Sequence, residues 1–194
     1  MKTYEDLEGD GGSNIIGQVV QLGEKLRSRL DKIKHKVALM SGKGGVGKST
    51  VAAGLAMSLS KKGAKVGLLD ADIYGPNIPR MMGLAGVKPE VNGNKVLPLK
   101  AYGIEIMSMG SLMEDGQSLI WRGAMIMKAI EQFLRDILWS ELDVLVIDMP
   151  PGTGDAYLTI SSEIKPDNSL LITTPNKLAV HDLIKSVEVF NKLD

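Results

Sequence analysis

Gly42-Lys43-Gly44-Gly45-Val46-Gly47-Lys48-Ser49-Thr50 is the stretch that decides the fold. It fits the phosphate-loop pattern G-x-x-x-x-G-K-[ST]. Its flanks fit too. Lys36-Val37-Ala38-Leu39-Met40 reads as a short buried strand, and Val51-Ala52-Ala53-Gly54-Leu55-Ala56-Met57-Ser58-Leu59 reads as a helix. Gly42, Gly44, Gly45 and Gly47 carry no side chains, so backbone N–H groups can turn inward on an anion. A helix starting near Lys48 adds unpaired N–H groups and the positive end of its dipole. Lys48 supplies a point charge to the outer phosphates, and the Ser49 hydroxyl suits a Mg²⁺ ligand. The whole segment, Val46 and Thr50 included, is therefore the expected binding loop for a nucleoside triphosphate.

Outward from this loop, strands alternate with helices. Val66-Gly67-Leu68-Leu69 is a strand ending at Asp70, and Leu142 to Ile147 is one ending at Asp148. Ser169-Leu170-Leu171-Ile172-Thr173 and Ile104 to Met109 read the same way. Unbroken apolar runs predict strands buried on both faces, as in a parallel sheet. Helices are expected near 49–62, 123–138, 155–163 and 177–192. The pattern is α/β, a doubly wound and mostly parallel sheet with helices on both faces. An Asn92-Gly93 turn between β-prone residues of 90–97 predicts a small β-hairpin insertion.

Ahead of the sheet, residues 1–12 are acidic and then glycine-rich, which predicts a flexible tail. Residues 13–35 place Ile15, Val19, Leu22, Leu26, Leu30 and Ile33 at helical spacing. That amphipathic helix is expected to dock on the domain formed by 36–194.

In doubly wound sheets ligands bind at the carboxyl ends of the strands. Asp70, Asp72 and Asp148 all fall there beside the loop. Asp148, followed by Met149-Pro150-Pro151-Gly152, suits an acid that holds a water of the Mg²⁺ shell. Gly152 lets a backbone N–H approach the γ-phosphate. Of Asp70 and Asp72, one suits the Mg²⁺ shell and the other the orientation of the attacking water. The reading gives Asp70 the metal and Asp72 the water, and the two roles can be exchanged. Asp155 is either a site residue or a helix cap.

Composition narrows the class. Twenty-three basic residues balance 23 acidic ones, so no overall charge favours nucleic acid or an acidic membrane. No apolar run has the length of a membrane span. There is no cysteine, and hence no disulfide or thiolate metal site within this chain. The expected setting is cytoplasmic, with no membrane or nucleic-acid partner. His35 and His181 are isolated and read as packing or surface residues. The eleven methionines read mainly as core.

Together these residues resemble a family. Lys43-Gly44-Gly45-Val46-Gly47-Lys48-Ser49-Thr50 is similar to the deviant Walker A motif of the MinD/ParA/nitrogenase iron protein group of P-loop ATPases. In that group the early lysine, here Lys43, reaches the partner subunit's nucleotide, which implies a homodimer across ATP. Asp70-Ala71-Asp72-Ile73-Tyr74-Gly75-Pro76-Asn77-Ile78-Pro79-Arg80-Met81-Met82-Gly83, Ile120-Trp121-Arg122-Gly123 and Ile147-Asp148-Met149-Pro150-Pro151-Gly152-Thr153-Gly154-Asp155 resemble the Mrp-type iron–sulfur cluster carriers. The resemblance covers 36–194. It implies slow Mg·ATP hydrolysis, with Lys43, Lys48 and Asp72 catalytic, coupled to carrying a [4Fe–4S] cluster to apoprotein acceptors.

One departure stands out. The family holds its cluster through a C-x-x-C in each subunit, and this chain has no cysteine. It stops at Asn191-Lys192-Leu193-Asp194, where the family continues into another strand, an Asn-containing base loop and the C-x-x-C. The expectation is a C-terminally truncated domain that binds no cluster alone and recognises the base incompletely. Rival classes are a positioning ATPase of the MinD or ParA kind and a nucleotide-binding scaffold without useful turnover. The first calls for a basic amphipathic C-terminal helix or a basic face, and neither is visible.

Overall fold

The computed structural model describes residues 30, 32–73, 75–112, 123–152 and 154–190. The tail 1–12, the helix expected over 13–35 except for its last few residues, Tyr74, Ile120-Trp121-Arg122, Thr153 and 191–194 lie outside them.

The strands are β1 (His35–Met40), β2 (Val66–Asp70), β3 (Val91–Asn92), β4 (Lys95–Val96), β5 (Leu99–Ala101), β6 (Ile104–Ser108), β7 (Val144–Asp148) and β8 (Asn168–Leu171). The helices are α1 (Lys48–Lys61), α2 (Ile78–Met81), α3 (Gly123–Asp136), α4 (Asp155–Ile164) and α5 (Lys177–Phe190). A six-stranded sheet runs β5-β6-β2-β7-β1-β8, and β3 and β4 form a separate two-stranded hairpin. Every pairing in the large sheet is parallel except β5 with β6. That is the doubly wound fold expected from the apolar runs.

Side chains alternate along each strand and divide the core in two. Leu39, Val66, Leu68, Ile104, Ile106 and Val146 face α1 and α2. Ala38, Met40, Leu69, Met107, Leu145 and Ile147 face the other way, onto α3 and α4. Helix α1 turns Ala52, Ala53 and Ala56 to the sheet. These small residues let its backbone lie close to the strands, which brings its N-terminus to the strand ends. On the opposite face Ile130, Phe133, Leu134 and Ile137 of the α3 region fill the layer, joined by Leu30 and Ile33.

The hairpin packs where sequence alone could not place it. The Lys95 ammonium donates to Arg135 O at 3.2 Å and to Asp136 Oδ1 at 2.7 Å, and Leu138 N–H donates to Val96 O. A cation at the carboxyl end of α3 meets the negative end of the helix dipole.

One strand corrects the reading. β8 was expected to be buried on both faces, yet all of Asn168–Leu171 is exposed. Among the described residues β1 is its one neighbour in the sheet. Apolar composition reports a strand but not its rank in the strand order. The antiparallel β5 and the short α2 were not foreseen. Among the described residues no helix is long and apolar enough to cross a membrane.

Candidate functional site: a glycine loop facing two buried aspartates

Register places the site. In the parallel ladders Leu39 stands opposite Asp148, Asp148 opposite Asp70, and Asp70 opposite Ser108. The last residues of β2, β6 and β7 and the penultimate residue of β1 therefore make one row at the carboxyl edge. The loop 42–47 leaves β1 at this row and turns into α1.

Gly47 occupies the N-cap of α1 in left-handed backbone, with φ +94°, and no side chain caps the helix. Gly45 is also left-handed, at φ +76°. Side chains built on Gly44, Gly45 or Gly47 would meet no atom within 4 Å. These glycines serve backbone conformation and open space rather than packing. The first-turn N–H groups of α1 have no acceptor within the helix, as an anion site requires.

Lys48 turns back under the loop and is buried. Its Nζ lies 2.5 Å from Asp148 Oδ1, and Asp148 is wholly inaccessible. The second carboxylate oxygen of Asp148, Oδ2, is buried and has no hydrogen-bond partner among the described residues. Buried polar atoms are normally paired. An orphaned carboxylate oxygen beside a phosphate loop fits a water of a Mg²⁺ shell. Ser49, half-buried on the first turn of α1, is the hydroxyl the pattern assigns to that ion. The residues present thus fit both a triphosphate and Mg²⁺. Lys43 is half-buried, and among the described residues its ammonium makes no hydrogen bond or ion pair.

Asp70 and Asp72 sit differently. Asp70 is fully buried, and its oxygens serve the chain itself. Oδ1 accepts from Asp72 N–H at 3.2 Å, while Oδ2 accepts from Ile78 N–H at 3.1 Å and Ser108 Oγ at 3.3 Å. Burial pushes its pKa up to about 7, and the negative charges of Asp148 and Asp72 add to the rise. The two backbone N–H donors favour the carboxylate and pull the other way, without outweighing burial. Asp72 is half-buried in the loop that follows, and its Oδ1 accepts from Gly75 N–H at 3.1 Å.

The segment after β7 bends back to the loop. Gly152, at φ +80°, donates its N–H to Ser41 O at 3.1 Å. Asp155 opens α4 as its first helical residue, and Gly154 holds the N-cap, so Asp155 does not cap this helix.

Two residues of this neighbourhood escaped the sequence reading. The Ser41 hydroxyl is buried at the root of the loop, without a partner among the described residues. Ser108 joins the site because β6 lies beside β2. Neither belongs to a motif, and nothing in a linear pattern reports that β6 and β2 are neighbours.

A glycine loop between a buried strand and a helix, with its lysine paired to an acid at the end of a neighbouring strand, defines a P-loop NTPase. Residues 32–194 match the ParA family described as the NUBPL iron-transfer P-loop NTPases, and the chain belongs to that family. An iron-sulfur cluster carrier protein of Helicobacter pylori is 56% identical over 163 residues, which are 83% of this chain and 44% of that protein. The chain spans about half the length of the curated relatives it matches. A nucleotide-binding protein from Archaeoglobus fulgidus, solved in complex with ADP, superposes with a TM-score of 0.72 at 41% identity, covering 87% of this chain and 67% of that one. The septum site-determining protein MinD of Pyrococcus horikoshii, complexed with Mg-ADP, superposes at 0.60 with 22% identity over 81% of this chain and 65% of that one. The second likeness is one of fold.

Proposed function

We propose that this chain is the ATPase engine of an iron–sulfur cluster carrier. It binds Mg·ATP, hydrolyses it slowly as a homodimer across the nucleotide, and couples that cycle to passing a cluster to apoproteins in the cytoplasm. The observation that carries the reading is the buried Lys48–Asp148 pair at the mouth of the glycine loop, with Asp148 Oδ2 left unpaired. The family supplies the cargo.

The roles follow from position. Backbone N–H groups of Gly42 to Thr50 surround the phosphates, and Lys48 exchanges Asp148 for phosphate oxygens. Ser49 would hold Mg²⁺, with Asp148 at its water shell; Asp70 would join that shell only through Oδ1, since Oδ2 already accepts two hydrogen bonds. When bound, the ion neutralises charge on the phosphate oxygens. Asp72 orients a water for attack on the γ-phosphorus, which releases ADP and inorganic phosphate. Gly152 would have to release Ser41 O to offer its N–H to the γ-phosphate, and Lys43 reaches the partner subunit's nucleotide. Balanced charge, 23 against 23, gives no reason to add a nucleic-acid or membrane partner. With no cysteine among the 194 residues, thiolate ligands for the cluster are not part of this chain's role.

Two lysine variants test the reading. Lys48→Ala should lose nucleotide binding. Lys43→Ala should bind nucleotide within about threefold of wild type but lose ATP-dependent dimerisation and turnover. Equal loss of binding in both variants removes the role of Lys43 in trans. Absence of phosphate release from the wild-type dimer removes the ATPase.

A further inference from the structure

The loop from Ala71 to Asn77 carries Asp72, yet residues outside it decide where it lies. Its two ends hang on one carboxylate, since Asp72 N–H and Ile78 N–H both donate to Asp70. Ile78 is wholly buried, so its N–H has no access to water as an alternative. Asp70 is held in turn from β6. Ser108 Oγ donates to Asp70 Oδ2 at 3.3 Å and accepts from Gly110 N–H at 3.1 Å.

A second contact grips the same loop without any hydrogen bond. A side chain on Gly110 would place its Cβ 2.4 Å from Pro76 Cγ and 2.5 Å from Pro76 Cβ. The proline ring thus fills the space that a side chain would take. The loop is fixed by a hydrogen-bond line from Ser108 through Asp70, and by Pro76 seated on Gly110. Ser108 itself is buried, where an apolar residue would be cheaper to place than a hydroxyl. Its hydroxyl meets the carboxylate that holds both ends of the loop.

We infer that Ser108 is a positioning residue for hydrolysis, fixing through Asp70 the loop that presents Asp72 to the attacking water. Gly110 assists by seating Pro76. This rests on the proposed role of Asp72. Loss of Ser108 should therefore misplace Asp72 and leave the phosphate loop intact.

Three variants of the full-length protein test it: Ser108→Ala, Ser108→Thr and Gly110→Ala. A misplaced catalytic group should lower kcat in Ser108→Ala about ten- to a hundredfold. Affinity for a non-hydrolysable ATP analogue should stay within about twofold. Ser108→Thr keeps the hydroxyl and should retain most of kcat. Gly110→Ala displaces Pro76 and should give the same split between kcat and affinity, which also serves if Ser108→Ala does not fold. Hydrogen exchange without nucleotide supplies an arm independent of turnover: the Asp72 and Ile78 amides should exchange about tenfold faster in Ser108→Ala, and not in Ser108→Thr. Wild-type kcat in Ser108→Ala, parallel loss of kcat and affinity, or unchanged exchange at Asp72 and Ile78 would each overturn the inference. A wild-type protein without turnover sinks the ATPase reading instead, and exchange alone then decides whether Ser108 holds the loop.

Discussion

Lys48 and Asp148, a hundred residues apart, meet as a buried ion pair with Nζ 2.5 Å from Oδ1. One begins the helix after β1 and the other ends β7 beside it. The pair joins the two halves of the site through the parallel register of β1 with β7. It also keeps the lysine under the loop, close to where phosphate oxygens would compete for it.

Breaking such a pair on one side strands a charge in the interior. Lys48→Met and Asp148→Ala should each cost about 3 kcal/mol of stability. The double variant should cost less than the sum, because no unpaired charge remains. Urea unfolding of the four proteins without nucleotide measures the coupling. A coupling near zero would mean that water already screens the pair.

Asp70 gives the protein a pH dependence of definite sign. Its pKa in the fold is about 7, against about 3.9 for an unfolded aspartate. Between those values the folded chain keeps a proton that the unfolded chain has released, so stability falls as pH rises. The penalty is absent below the unfolded value and complete above about 7. A gap of roughly three units corresponds to at most about 4 kcal/mol. Asp70→Asn should flatten the decline between about pH 4.5 and 7.5 in nucleotide-free, Mg²⁺-free unfolding experiments. An equally steep decline in the variant would assign the titration to another group.

The loop Gly42–Thr50 and the aspartates at strand ends were legible because each depends on local pattern: glycine spacing, an apolar run, an acid where the run stops. The Lys48–Asp148 ion pair was not read from the sequence, although Asp148 itself could be placed beside the loop in advance. Ser108 could not, because its role depends on β6 lying against β2. The exposure of β8 among the described residues was hidden too, since Leu170 and Leu171 have the composition of an interior strand. The hairpin was visible in Asn92-Gly93, whereas its seat on the end of α3 depends on Lys95 meeting Asp136.

Two glycines separate packing from conformation in a last prediction. A Cβ on Gly67 would stand 2.5 Å from Leu142 Cδ1 and 2.9 Å from Leu145 Cδ1, both in the core. Gly67→Ala should therefore cost about 1–3 kcal/mol by crowding. Leu142→Val in the same chain should recover part of that loss. Nucleotide affinity should not change, because Gly67 lies on β2 three residues short of Asp70. Gly152 is the reverse case. A Cβ there would meet nothing within 4 Å, but the backbone sits at φ +80°. Gly152→Ala should cost about 1–2 kcal/mol through conformation alone. Its effect on turnover should exceed its effect on stability, since relaxing φ moves the N–H now held by Ser41 O. Thermal unfolding and phosphate release on both variants decide the matter. A Gly152→Ala protein that keeps full turnover would show that this N–H does not serve the γ-phosphate.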